Sequence, residues 1–426
     1  MAEWIIDWKG CLKGEISVPG DKSISHRAVI LGSIARGTTR VKGWLQAEDV
    51  KRTIQAFQSL GVEIIVGDEL VIKGAGKSGL RPAKGIIDLG NSGTGIRLIS
   101  GVLAGQAFES VLTGDETLVK RPMKRIIEPL SKMGAEIKSQ EGGFAPLRIK
   151  GGKLNGIDYQ MPVASAQVKS AILLASLFAK GKTRITEPSA SRDHTENMLR
   201  YFGVKLKKQD REIEFKCGQE LSAQEIEVPG DISSAAFFIV AGLIVPGSEI
   251  LIRNVGLNPT RTGILDALKL MGAKIEILNL RSMSGEPVGD ILVKSQNLRA
   301  AEIKGALVPR LIDEIPILAV AATQAEGTTV IKDAKELRVK ESDRIRSMTI
   351  ELGKLGAKIT ELPDGMVIEG GNLLKGADVE SQKDHRVAMS LAVAGLVAKG
   401  RTKVHSVEWV ETSFPGFLKK LNQLVA

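Results

Sequence analysis

VPGDKSISHR, Val18 to Arg27, and its echo VPGDISS, Val228 to Ser234, decide how this chain is built. Each copy sets a Pro-Gly turn and an Asp/Ser capping signature immediately before a long apolar stretch of helical character. The first-turn N–H groups of a helix lack partners and its dipole presents positive charge there, so such a start is a ready anion site. The first copy adds Lys22 and Arg27, whereas the second adds no cation. A duplicated element that is charged in one half and bare in the other points to an acidic ligand in a cleft between two similar halves.

Working outward, the whole chain repeats. A small-residue apolar helix, a glycine and a β-branched strand recur at Leu31–Val41, Leu174–Ile185, Ala241–Ile250, Leu318–Val330 and Leu391–Val404, with a weaker copy at Ile99–Val111. A second signature, an amphipathic helix closing on an apolar residue and glycine before a strand, recurs as LGVEI at Leu60, MGAEI at Met133, FGVKL at Phe202, MGAKI at Met271 and LGAKI at Leu355. The glycine suits the left-handed position that follows a helix end. Copies lie roughly 65–80 residues apart, so about six units fill the chain. The helices rich in Ala, Gly, Leu and Val carry no polar stripe and must be buried on all sides. The economical packing is an α/β protein of two domains, each of three units, with helices at its centre.

Composition narrows the function. At 426 residues the chain exceeds one ordinary core. With 43% apolar but only 4% aromatic residues, the core is aliphatic. No apolar run reaches the roughly 18 residues of a membrane span, and MAEWIIDWKG has no cationic leader, so neither a membrane segment nor a signal peptide is expected. Cys11 and Cys217 form no disulfide framework or metal cluster and suit a reducing cytoplasm. The net charge of +10 is interspersed with acids and accompanied by only two tyrosines, which argues for an acidic small substrate over nucleic acid. LGNSGTGIR lacks the Gly-Lys-Ser/Thr of a P-loop and is not G-x-G-x-x-G, so no nucleotide cofactor is expected.

The unusual polar residues fall at the starts of the apolar helices: Asp21–Arg27, Asn91–Arg97, Ser165–Lys169, Asp231–Ser234, Asp313–Pro316 and Asp384–Arg386. Capping explains Ser165 and Asp231. It does not explain Lys22, Arg27, Arg97 and Arg386, because a cation near an N-terminus opposes the dipole unless an anion lies between them. Two basic segments supply further cations: Thr113–Arg125 follows a strand, and Leu337–Arg346 opens an amphipathic helix.

VPGDKSISHR, LGNSGTGIRL, GDETLVKRPM, SRDHTE, VKESDRI and DHRVAM, in this order along almost the whole chain, resemble the 5-enolpyruvylshikimate-3-phosphate synthases. The resemblance implies two inside-out α/β domains, each of three βαβαββ repeats with buried central helices. One would span residues 21–229 and the other 1–20 plus 230–426, with the active site in the cleft between them. It implies transfer of the enolpyruvyl group from phosphoenolpyruvate to the 5-hydroxyl of shikimate 3-phosphate, in aromatic amino acid biosynthesis, without metal or cofactor. Lys22, Ser23, Arg27, Ser165, Gln167, Ser191, Asp313 and Lys340 would hold shikimate 3-phosphate. Lys22, Gly93, Arg121, Gln167, Arg344 and Arg386 would hold phosphoenolpyruvate, with His385 beside it. Asp313, Glu341 and Lys22 would carry the proton transfers, Asp313 as base near the hydroxyl. The family is also the target of glyphosate, which competes with phosphoenolpyruvate. A cytoplasmic monomer acting on two small molecules, with no nucleic-acid or membrane partner, is the expectation. Ala166 departs from the second Ser of many members, and Leu98 from their Pro.

Two rivals remain from the residues alone. A sister transferase acting on UDP-N-acetylglucosamine often has a Cys in the loop equivalent to Thr113–Arg125, where this chain has none. A nucleic-acid-binding repeat protein would need exposed aromatic or basic stripes rather than cations at buried helix starts.

Overall fold

Six helices with almost no polar surface organise the computed structural model, which describes residues 2–7 and 10–425; Met1, Trp8, Lys9 and Ala426 lie outside the described residues. They are α1 (Lys22–Ile34), α2 (Gly93–Ala104), α3 (Ala166–Ser176), α4 (Ile232–Ile244), α5 (Ile315–Thr323) and α6 (His385–Val397). Every residue of α4 and of α5 is buried, as a helix apolar on all sides requires. In α2 the small residues have a packing role. A Cβ on Gly101 would lie 2.3 Å from the Ala171 carbonyl oxygen of α3, an approach open only to glycine.

Two compact units divide the chain. The central unit is Gly20–Val228 together with Met283–Glu286; the terminal unit takes in the chain up to Pro19, Pro229–Ser282 and the chain from Pro287 onward. Each has its own aliphatic core, built around α1, α2 and α3 in the central unit and around α4, α5 and α6 in the terminal one. Among the described residues the strands form six small sheets, five of four strands and one of three. All follow one plan, in which a strand pairs in parallel with the strand after its buried helix, and that strand pairs antiparallel with its other neighbour. In the second sheet of the central unit, Ile87–Asp88 lies parallel to Glu109–Thr113, which lies antiparallel to Phe144–Lys150. The repeat signatures therefore describe the fold.

Three of the six sheets among the described residues are completed from a distance in sequence. Glu225–Glu227 pairs in parallel with Arg36–Lys42 to close the first sheet of the central unit. Lys13–Ser17 pairs in parallel with Glu249–Gly256, and Glu3–Ile6 antiparallel with Thr402–His405, in the terminal unit.

Outside the core run the amphipathic helices Glu48–Ser59, Lys124–Lys132, His194–Tyr201, Gly263–Leu270 and Arg344–Lys354. Each is followed by a glycine with φ between +87° and +112°: Gly61, Gly134, Gly203, Gly272 and Gly356. The residue before each glycine (Leu60, Met133, Phe202, Met271, Leu355) is fully buried and anchors the helix end. A residue with Cβ would be strained at these positions.

Candidate active site

In the central unit, α1 begins where Asp21 accepts the Ile24 amide at 2.9 Å, which places Lys22 on the first turn and Arg27 on the second. Lys22 Nζ reaches Asp49 at 3.1 Å. Arg27 is nearly fully buried and held on three sides: Nε donates to Thr195 Oγ1 at 2.6 Å, Nη1 to the Ser23 carbonyl at 2.9 Å and Nη2 to Ser170 Oγ at 2.8 Å. The DHTE stretch thus acts partly by fixing this guanidinium. Between the two cations His26 is buried with Nδ1 2.8 Å from Thr53 Oγ1. Burial, then the Lys22 and Arg27 charges, lower its pKa from 6.5 to about 3, so it is a neutral packing group.

At the start of α2, Ser92 caps the Gly95 amide at 3.1 Å. Arg97 Nη1 donates to Gln167 Oε1 at 2.9 Å and to the Gly93 carbonyl at 3.2 Å, and Gln167 Nε2 donates to Thr94 Oγ1 at 3.2 Å. Arg121 Nη2 donates to Asn91 Oδ1 at 2.6 Å. A Cβ on Gly93 would sit 2.9 Å from Arg97 Nη1 and 3.1 Å from Arg121 Nη1. Two guanidinium groups therefore flank one helix N-terminus where no side chain intervenes, an arrangement suited to phosphate or carboxylate. Ser165 caps the Val168 amide of α3 at 3.5 Å, a long contact, and Ser191 gives its hydroxyl hydrogen to Glu187.

Arg97 received no binding role from the motifs. Its position, a cation in the first turn of a buried helix, was the available signal. Arg97 joins Gly93 to Gln167.

In the terminal unit the hub is Arg344, 1% exposed. Its Nε meets Asp384 at 2.8 Å, Nη2 meets Glu341 at 2.7 Å and Nη1 meets Asp313 at 3.2 Å, while Lys340 Nζ lies 3.4 Å from the same Asp313 oxygen. Burial alone would lower the proton affinity of Arg344, but Asp384, Glu341 and Asp313 raise it, so the group stays charged. Burial pushes the Asp384 carboxyl up, yet the Arg344 charge outweighs it and leaves the group below its usual range. Asp384 also caps α6 through the Arg386 amide at 2.8 Å. The Arg386 guanidinium donates to the Asp313 carbonyl at 3.1 Å, and His385 is buried next to it in sequence.

Two expectations are corrected. The start of α4 is not bare of cations: Arg261 Nη2 reaches Asp231 at 3.0 Å and Ser233 Oγ at 2.7 Å, supplied from outside the repeated motif. The amphipathic helix expected from Leu337 starts only at Arg344; a short 3-10 turn spans Lys335–Val339, and Lys340 and Glu341 sit in the connection. At the start of α5, the N-cap residue Glu314 makes no side-chain cap.

Cations near the starts of apolar helices, with carboxylates beside them, make a site of the class that binds small anionic substrates. The sequence model of EPSP synthase (3-phosphoshikimate 1-carboxyvinyltransferase) matches residues 6–421. A 3-phosphoshikimate 1-carboxyvinyltransferase of Geobacter sulfurreducens (strain ATCC 51573 / DSM 12127 / PCA) is 57% identical over 97% of each chain, and one of Thermoanaerobacter sp. (strain X514) is 56% identical over 98% of each. The solved EPSP synthase of Acinetobacter baumannii aligns with a TM-score of 0.90 at 46% identity, covering 99% of this chain and 98% of its own. The chain belongs to the EPSP synthase family, transferases that move the enolpyruvyl group of phosphoenolpyruvate to shikimate 3-phosphate in the shikimate pathway. Among the described residues no helix is long and apolar enough to cross a membrane.

Proposed function

We propose that both units serve one reaction, with the division of labour that the motifs imply. The observation that carries it is the pair of guanidinium groups flanking Gly93 at the N-terminus of α2. Lys22, Gly93, Arg121 and Gln167 of the central unit and Arg344 and Arg386 of the terminal unit bind phosphoenolpyruvate. Lys22, Ser23, Arg27, Ser165, Gln167, Ser191, Asp313 and Lys340 bind shikimate 3-phosphate. The two substrates bring two phosphates and two carboxylates, and planar guanidinium groups match each bidentately.

Asp313 accepts the proton of the 5-hydroxyl as the oxygen attacks the enolpyruvyl carbon. Lys340 and Arg344 lie beside the carboxylate and orient it. Glu341 and Lys22 handle the proton that reaches the methylene carbon and leaves it again. The cations at the helix starts take up the charge of the departing phosphate. We further propose that the enzyme works as a monomer in the cytoplasm.

The test is phosphate release from phosphoenolpyruvate with shikimate 3-phosphate present or absent. Release that requires shikimate 3-phosphate is expected. Release without it, or release driven instead by UDP-N-acetylglucosamine, refutes the reading.

A further inference from the structure

Behind Ser191 lies a fully buried ionic group that the reaction as described does not use. Lys169, on α3, lies 2.9 Å from Glu187 Oε2 and 2.8 Å from Glu196 Oε1, with all three side chains out of contact with solvent. Burial works against the Lys169 charge, but Glu196 and Glu187 raise its proton affinity. One cation against two carboxylates is more acid than folding needs, since a single partner already neutralises a buried lysine.

The surplus carboxylate has a visible task. Residues 187–193 run without regular structure between the strand Lys182–Thr186 and the helix His194–Tyr201. Within that loop Glu187 Oε1 accepts both the backbone N–H of Ser191, at 3.3 Å, and its hydroxyl. From the other side Lys169 Nζ donates to the Ser191 carbonyl at 3.3 Å. Ser191 is therefore gripped at its amide, its carbonyl and its side chain by two members of the buried group. Glu196 remains as the partner that keeps Lys169 neutralised.

We infer that Glu187 and Lys169 are positioning residues that hold Ser191 where the phosphate of shikimate 3-phosphate binds. This rests on the assignment of Ser191 to that substrate made above. The Lys169–Glu187 pair sets the loop, and the Ser191 hydroxyl turns from Glu187 to the phosphate when substrate arrives. Neither residue touches substrate.

The experiment compares Glu187→Ala, Glu187→Gln and Ser191→Ala in the full chain by steady-state kinetics on both substrates. Glu187→Ala keeps the Lys169–Glu196 pair and should fold. It is expected to raise the KM for shikimate 3-phosphate about tenfold, the loss of roughly one charge-assisted hydrogen bond, with kcat and the KM for phosphoenolpyruvate within about twofold. Glu187→Gln retains an oxygen that accepts from Ser191 and should recover most of that loss. Lys169→Met, if it folds, should follow Glu187→Ala. An increase for Ser191→Ala without one for Glu187→Ala overturns the inference. So does a Glu187→Ala effect spread equally over both substrates and kcat, or one that Glu187→Gln fails to relieve. If Ser191→Ala itself leaves the shikimate 3-phosphate KM unchanged, the Ser191 assignment fails and the inference falls with it.

Discussion

Replacing Gly93 by alanine tests the candidate site at its tightest point. The new methyl carbon would stand 2.9 Å from Arg97 Nη1 and 3.1 Å from Arg121 Nη1, whereas ordinary contact begins near 3.4 Å. The two guanidinium groups must therefore retreat by about 0.5 Å and about 0.3 Å. Arg97 is tied to Gln167 at 2.9 Å and Arg121 to Asn91 at 2.6 Å, so each retreat strains a contact already made. Gly93 opens α2, where alanine is the better helix former, so the fold should lose nothing. A charge-assisted hydrogen bond is worth about 1.5–3 kcal/mol, and weakening one by half costs about 1 kcal/mol, roughly five- to tenfold in affinity. The expected result is a phosphoenolpyruvate KM raised by about that factor, an unchanged melting temperature and a nearly unchanged KM for shikimate 3-phosphate. The inhibition constant of glyphosate should rise further, because the longer anion tolerates an added methyl group less well. The assay is phosphate release over a range of phosphoenolpyruvate concentrations at saturating shikimate 3-phosphate, with and without glyphosate. If the ratio of inhibition constant to KM does not move, Gly93 does not face the phosphoenolpyruvate site.

Three further outcomes follow from the geometry. Lys22→Ala and Arg121→Ala should each lower kcat/KM by on the order of 10- to 100-fold, while the exposed Lys124→Ala stays within about twofold; equal, mild losses would reduce the cluster to a surface patch. Because His26 has a folded-state pKa near 3 against 6.5 unfolded, the unfolded chain binds the proton first, and stability should fall as pH drops from about 6.5 toward 3. The slope from this residue is at most about 1.4 kcal/mol per pH unit; urea titrations should find it missing in His26→Gln, and an identical slope in both proteins would refute the buried neutral imidazole. Asp384→Asn keeps the helix cap but removes a charge from Arg344, which retains Glu341 and Asp313, so chemical denaturation should register a loss of about 1–3 kcal/mol; no loss would mean the three carboxylates are interchangeable.

The repeat was legible because local rules enforce it. Gly61, Gly134, Gly203, Gly272 and Gly356 sit at left-handed helix ends, and the helices they punctuate alternate with helices lacking any polar face. What stayed hidden depends on contacts between distant segments. Nothing near Asp231 announces Arg261, and nothing near Arg344 in the sequence announces Asp384 as its partner. Lys169 and Glu196 were visible inside the AQVKS and SRDHTE stretches, but a pairing between a buried helix and an amphipathic one has no periodicity to betray it.

The pairing of Lys13–Ser17 with Glu249–Gly256, and of Glu3–Ile6 with Thr402–His405, sets an order of events at the ribosome. These two strands have no partner until the central unit has been synthesised. At roughly 5–20 residues per second, Lys13–Ser17 waits on the order of ten seconds or more, and Glu3–Ile6 longer still. The N-terminal segment must therefore remain unpaired during translation while Gly20–Val228 gathers its own core. That segment is also short and rich in charge around its apolar residues, which suits a strand edge obliged to stay open without recruiting a neighbouring chain.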